Sequence, residues 1–408
     1  MSAAASLEVA LDALAETQAR RLADTFLPAP EAIEASPREW SPRRVRATFL
    51  VLLGLVALPI AWLTVQLWAH TSAVQGAAAE ATSVASALWL LLALPVACNC
   101  AGILAFRRGS AGGGGQGGLL PIGQLVCFRI VTRGTNVEAL RKTVQALRHE
   151  IARLPLFPSV IEVVTDTSVE LPRSGDLRQI CVPSDYRTPN GTRFKARALH
   201  YALEASPLPG DAWIFHLDEE THVTSSVLRG IATAITEEER AGSLRIGQGA
   251  VLYHRDLAEH PLLTLADSIR TGDDLGRFRL QHFTKRPLWG LHGSFILVRC
   301  DVEREVGFDF GPEGSVTEDA WWALVEMAHG RRTRWVDGYC LEQATRSMKD
   351  FVKQRRRWFV GLMLVCRQSP VPLRGRLPLL ASVLLWGTSW IGWWGVIAAV
   401  LVTRARLP

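Results

Sequence analysis

Trp213-Ile214-Phe215-His216-Leu217 is followed at once by Asp218-Glu219-Glu220-Thr221. Five residues with four large apolar side chains and no turn former read as a buried strand, and the acids then mark its carboxyl end. Similar units flank it. Gln124–Val131 reads as a buried strand, Asn136–Ile151 as a helix, Ile161–Thr165 as a strand and Thr192–Glu204 as a helix. Strand–helix alternation predicts a parallel, doubly wound α/β sheet. Ligands of such sheets sit beyond the carboxyl ends of the strands. Asp166 and Asp218 both fall there.

Apolar runs bracket this charged middle. Thr48–Trp68, Val84–Phe106 and Leu377–Val402 are each close to the 20 or so residues a helix needs to cross a bilayer. Arg43, Arg44 and Arg46 precede the first run, Arg107 and Arg108 follow the second, and Arg374 and Arg376 precede the third. Residues 70–83, between the first two, hold no Lys or Arg. The positive-inside rule then places the N-terminus and residues 107–376 in the cytoplasm, and we expect a multi-pass protein of the cell (plasma) membrane. Three spans would put Arg404 and Arg406 outside, so either they are tolerated there or further spans are missing.

The expected domains follow. Residues 1–47 form a cytoplasmic segment in which Leu7, Val9, Leu11, Leu14 and Leu22 can share a helix face. Residues 48–106 hold two transmembrane helices and 107–121 a glycine-rich linker. Residues 122–350 form the cytoplasmic domain, 351–376 an interfacial amphipathic helix and 377–402 a transmembrane helix. The net charge of +6 over 408 residues suits a nucleic-acid partner less well than a membrane surface, because the arginines cluster beside the apolar runs. The seven cysteines show no paired spacing, which excludes a disulfide framework and a zinc site.

Three signatures carry the chemistry. Asp218 and Glu220, two apart at a strand end, can point the same way and share a hard divalent cation, magnesium or manganese, with phosphate oxygens completing its shell. A solvated acidic turn is the plain alternative. In Ser315-Val316-Thr317-Glu318-Asp319, Ser315 and Glu318 fit a capping box that opens a helix. Asp319 would then sit in the first turn, where the helix dipole favours an ionised carboxylate able to take a proton from a hydroxyl. A mere helix start is the alternative. Lys349 to Leu362 reads as a basic amphipathic helix on a membrane surface. Within it Gln354, Arg357 and Trp358 can turn inward together, the arginine toward a diphosphate and the tryptophan under a sugar ring. Lys195 and Arg197 suit phosphate or base contact. Gly293 would let a ligand approach and His292 would touch it, although a turn glycine and a surface histidine are equally good readings.

The ordered set resembles glycosyltransferase family 2, and within it the egghead-type β-1,4-mannosyltransferases. The likeness rests on Val126 to Gly134, on Leu265 to Arg270 with Gly272-Asp273-Asp274, on His292-Gly293-Ser294-Phe295 and on Lys349-Asp350-Phe351 through Gly361, and covers about residues 122–366. It implies a GT-A fold with flanking transmembrane helices, a nucleotide-sugar donor (GDP-mannose favoured, a UDP-sugar possible), a glycan or glycolipid acceptor, and inversion at the anomeric carbon. By it Arg129, Thr132, Asp166 and Lys195 contact the donor, Asp218 and Glu220 hold the metal and diphosphate, and Asp319 is the base. Gln354, Arg357 and Trp358 would line the donor site, and His292, Gly293, Ser294 and Trp358 the acceptor site. The sequence departs from the family in carrying Glu220 where Asp is commoner, and in having few spans after the Gln-x-x-Arg-Trp segment. Few spans imply cooperating subunits, hence a homo-oligomer, or missing spans, or an enzyme that adds few sugars. The rival functions are a UDP-glucose-type β-glucan or other polysaccharide synthase and a non-catalytic nucleotide-sugar-binding subunit.

Overall fold

A computed structural model describes residues 42–72, 90–106, 122–172, 174–253 and 260–404. The helix expected among residues 7–22, the glycine-rich linker and Arg406 lie outside the described residues. The helices, numbered in chain order, begin with two apolar ones, α1 (Pro42–Ser72) and α2 (Leu90–Phe106). The central domain runs β1 (Val126–Thr132), α3 (Val137–Arg153), β2 (Ser159–Thr165), β3 (Leu177–Cys181), α4 (Phe194–Ala205), β4 (Trp213–Asp218), β5 (Thr221–His222) and α5 (Ser225–Ala241). It continues with β6 (Ile246–Tyr253), α6 (Pro261–Asp273), a π turn (Asp274–Phe278), β7 (Ile296–Arg299), α7 (Cys300–Val306), α8 (Gly311–Gly314), α9 (Glu318–Ala328) and β8 (Thr333–Glu342). Helices α10 (Met348–Gln368) and α11 (Leu373–Arg404) follow.

One eight-stranded sheet has the order β3-β2-β1-β4-β7-β6-β8-β5. Its first half matches expectation, since β1 pairs in parallel with β2 and β4, and β2 with β3. The second half corrects it. Strand β7 is antiparallel to both β4 and β6, so the sheet is mixed. The reason is the direction of entry. The chain comes into β7 from Leu291–Phe295 beside the cavity described below and runs away from it toward α7. This brings Gly293 next to the carboxyl end of β4.

Strands β1 and β2 are buried on both faces, as expected where helices cover both sides of a parallel sheet. On one face Phe128, Ile130, Val163, Phe215 and Leu217 pack with Leu140, Val144 and Leu147 of α3 and Ile231 of α5. On the other, Cys127, Val131, Val164 and Ile214 meet Ala198 and Leu199 of α4, Val302 of α7 and Trp322 of α9. This second face also carries a buried row of charge. Arg178, Glu162, Arg129 and His216 stand opposite one another on β3, β2, β1 and β4. Arg129 donates to Glu162 at 2.6 Å and to Glu303 of α7 at 3.0 Å, and His216 stands 2.8 Å from Glu303.

Among the described residues one helical stretch, Ala47–Gln66 of α1, is long and apolar enough to cross a membrane, with a mean hydropathy of 2.3. Three such runs were expected from the sequence. In α2 the apolar part, Ala93–Ala105, is shorter. Helix α11 is long but begins with Arg374 and Arg376, and it exposes Trp386, Trp390, Trp393 and Trp394. The basic helix α10 is capped by Ser347, whose hydroxyl accepts from the Asp350 backbone N–H.

Candidate active site

A cavity of about 950 Å³ opens at the carboxyl ends of β1, β2 and β4 and is closed by α9, α10 and the π turn. It gathers most of the residues singled out from the sequence. Thr132, Asp166, Lys195, Asp218, Glu220, His292, Gly293, Asp319, Gln354, Arg357 and Trp358 all line it.

At its centre β4 delivers Asp218, which pairs with Lys195 from the first turn of α4. Burial disfavours charge on both groups, yet each outweighs that cost for the other. Lys195 holds the Asp218 carboxyl below its ordinary range, with Arg270 and Arg357 adding to the effect. Asp218, Glu318 and Asp319 drive the Lys195 pKa up. Among the described residues Glu220 has no such partner. Burial, then the carboxylates of Asp218, Glu342 and Glu219, push its pKa up to about 8. Among the described residues no three His, Cys, Asp or Glu side chains form a ready metal cage. The donor set is two hard carboxylates in a site with excess negative charge, which suits a hard cation that takes the rest of its ligands from a phosphate.

Asp319 stands at the start of α9. Its Oδ2 accepts from the Gly293 N–H at 2.7 Å and its Oδ1 from the Ala320 N–H at 2.8 Å. A Cβ at Gly293 would lie 2.9 Å from the Lys195 Nζ, so any side chain there would displace the lysine from its place beside Asp218. The expected capping box is not formed. Helix α9 opens at Glu318, and Thr317 holds the cap position without a side-chain bond. Ser315 lies too far upstream; its hydroxyl donates to the Gly311 carbonyl and accepts from the Arg193 N–H. Glu318 instead faces the cavity, 3.9 Å from Lys195. Burial, then Asp319, raises its pKa to about 7 against the opposing pull of Lys195.

Two further expectations are corrected. Arg129 does not reach the cavity: it is 1% exposed, and its guanidinium is engaged by Glu162 and Glu303 under the sheet. Ser294 is wholly buried behind the lining, donating to Glu342 at 3.0 Å and accepting from Arg270 at 3.2 Å. Arg197 is also diverted from a ligand, since it pairs with Asp166 at 2.5 Å and so holds that carboxylate at the cavity wall. Thr132 bonds Glu219.

The structure adds residues that the motifs did not single out. Glu342 ends β8 and pairs with Arg270 of α6 at 3.2 Å, on the cavity wall. A strand-end acid was the signal that marked Asp218, and the same signal was available for Glu342. Arg270 and Arg355 lie 5.6 and 4.1 Å from the centre of the Trp358 ring, and Arg355 is tied to Asp267 of α6. Phe194, 54% exposed at a φ of 55°, projects beside Lys195. Asp273, Arg277, Phe278 and Trp289 complete the wall nearest the apolar helices.

Residues 213–405 match the family described as glycosyl transferase family group 2. The beta-1,4-mannosyltransferase bre-3 of Caenorhabditis elegans is 35% identical over 266 residues, which cover 64% of this chain and 58% of that protein. The beta-1,4-mannosyltransferase egh of Drosophila melanogaster is 36% identical over 279 residues, 68% of this chain and 60% of that protein. The chain thus spans 58–60% of the length of these curated relatives. From Trp213 through α11, therefore, the chain is similar to glycosyl transferase family group 2, and over about two thirds of its length it is similar in sequence to β-1,4-mannosyltransferases.

Proposed function

We propose that the chain is a membrane-bound inverting glycosyltransferase that moves a hexose, mannose by preference, from a nucleotide-sugar to a hydroxyl of a glycan or glycolipid, forming a β-linkage. The observation that carries this reading is the placing of Asp319 by the Gly293 N–H in one cavity with the Asp218–Lys195 pair. A base and a phosphate-binding cluster then face the same space. GDP-mannose is the favoured donor, by similarity to the mannosyltransferases.

In this mechanism Asp319 accepts the proton of the acceptor hydroxyl. The oxygen bonds to the anomeric carbon on the face opposite the nucleotide. The bond from that carbon to the diphosphate oxygen breaks, and the nucleoside diphosphate leaves with the electron pair. Lys195 and Arg357 offset the charge that gathers on it. Asp218 and Glu220 would hold a divalent cation, magnesium or manganese, which supplies Lewis-acid stabilisation of the same diphosphate. The Gln354 Oε1, buried without a hydrogen-bond partner, is an acceptor available to a sugar hydroxyl. Trp358, packed against Arg270 and Arg355 in the cavity lining, is an aromatic surface for a pyranose ring.

The bilayer is the second partner. Helices α1, α2 and α11 would span it, with the central domain on the cytoplasmic face of the cell membrane, as the flanking arginines favour. The exposed Leu262, Leu265 and Ile269 of α6 and Met348 and Val352 of α10 would rest in its interface.

The test uses the full chain in lipid with GDP-mannose, UDP-glucose and UDP-galactose, with and without Mg²⁺ or Mn²⁺. Release of nucleoside diphosphate is measured and the product linkage determined. Asp319→Asn is expected to lower transfer by at least about 100-fold while nucleotide affinity is kept. Nucleotide release from none of the donors, or full turnover by Asp319→Asn, sinks the proposal.

A further inference from the structure

The apolar helix α2 carries one amide in its middle, Asn99, on the same face as Gly102 three residues on. Both meet the π turn. The Asn99 Nδ2 donates to the Asp273 Oδ1 at 2.9 Å, and its Oδ1 accepts from the Arg277 backbone N–H at 3.0 Å. A Cβ on Gly102 would lie 2.0 Å from the Gly276 carbonyl oxygen, so backbone touches backbone here. Gly276 itself leaves helical geometry, at φ −96° and ψ −105°. The Arg277 guanidinium then pairs with Asp273 at 2.9 Å and reaches Ser382 of α11. The chain therefore kinks at Gly276 between two helical pieces, and the kink is seated on α2; a polar side chain within an apolar helix has a specific use more often than not.

The sheet order says what this turn faces. Asp166 and Thr132 lie past β2 and β1, on one side of β4. The π turn lies over β6, on the other side, where the Asp274 Oδ2 accepts from the Val251 N–H at 3.0 Å. Asp218 and Asp319 stand between the two. A contact chain joins the π turn to the base. Phe278 packs edge-on to His292 at 4.6 Å, His292 stands 2.8 Å from Asp274, and Gly293 holds Asp319. With the nucleotide over β1 and β2, the acceptor sugar must approach Asp319 from the π-turn side.

We propose that Asn99 is a positioning residue for the acceptor: from within the apolar helix it fixes Asp273 and Arg277, whose polar atoms, with Phe278, form the wall that binds the acceptor pyranoside. This rests on the glycosyltransferase reading for the identity of the ligand. Asn99 touches no substrate; it acts through the turn. The anchoring helix is thereby a component of the acceptor site.

Binding is the test, read without turnover. The full chain in lipid nanodiscs is titrated with a water-soluble alkyl β-glucoside and, separately, with GDP and UDP. Fluorescence of the cavity tryptophans Trp289, Trp358 and Trp386 reports both. Asn99→Ala is expected to weaken glucoside binding about tenfold, the worth of one to two buried hydrogen bonds, and to leave nucleotide affinity within about twofold, which also certifies the fold. Equal weakening of glucoside and nucleotide, or no change in either, overturns the proposal. Intact binding behaviour without transfer in the unaltered protein counts against the proposed activity and leaves this inference standing.

Discussion

Glu318 and Asp319 show how two adjacent carboxylates acquire different work. Asp319 accepts two backbone N–H bonds, which fix its carboxylate toward the cavity. Glu318 is buried beside it and titrates at about 7. As pH rises through 7, Glu318 gains a negative charge on the cavity wall beside the base. We expect the rate of transfer to climb through that range and Glu318→Gln to flatten the limb, with kcat measured from pH 6 to 8. An unchanged profile would detach Glu318 from the base. Arg129 belongs to the same scale. Its removal from the donor site is testable because a buried ion pair, once broken, leaves a stranded charge. Arg129→Met should cost about 3–5 kcal/mol of stability, read by thermal or denaturant unfolding, and nucleotide affinity of the folded fraction should not move. Neither role was legible in the sequence, since both depend on partners far along the chain: Glu303 is 174 residues from Arg129.

Helix α10 is where the elements lock together. A Cβ at Gly361 would lie 2.5 Å from the Thr317 side chain, so the helix bearing Gln354, Arg357 and Trp358 rests directly on the start of α9, which bears the base. Gly361→Leu is expected to push the two apart and lower kcat by at least about tenfold; circular dichroism should still show a native helix content. Local pattern disclosed most of these elements. Apolar runs with period two or none gave β1, β2 and β4 within two residues of their observed bounds, and the 3.6-residue period gave α3 and α4. The direction of β7 was not legible, because strand polarity is decided by where the preceding loop returns and no local composition records it. The opening of α9 was misread for a related reason. Ser315 and Glu318 have the right spacing for a cap, but Gly311 and Arg193 compete for the hydroxyl and Lys195 draws the carboxylate inward.

The whole molecule is organised about one boundary between apolar helices and a charged cavity. Leu262, Leu265 and Ile269 on α6 are 70–73% exposed, beside the exposed Met348 and Val352 of α10. We expect Leu262→Asp with Leu265→Asp to reduce activity on a lipid-embedded acceptor and to leave activity on a short soluble glycoside unchanged; loss of both would point to misfolding instead. At this scale the sequence was a fair guide to layout; of the three expected spans, one meets the length and hydropathy of a membrane helix among the described residues. The buried row Arg178–Glu162–Arg129–His216 has a consequence of its own. The strands it crosses are almost wholly apolar on both faces, so sliding one past another would cost little burial and be poorly penalised. A charge that finds its counterpart at only one alignment changes that, because a one-residue slip would turn Arg129 into the phenylalanine-rich layer on the opposite side. The row acts as a registration key for the folding sheet: it rejects misaligned pairings, and in doing so it fixes the height at which Thr132, Asp166 and Asp218 emerge at the rim together.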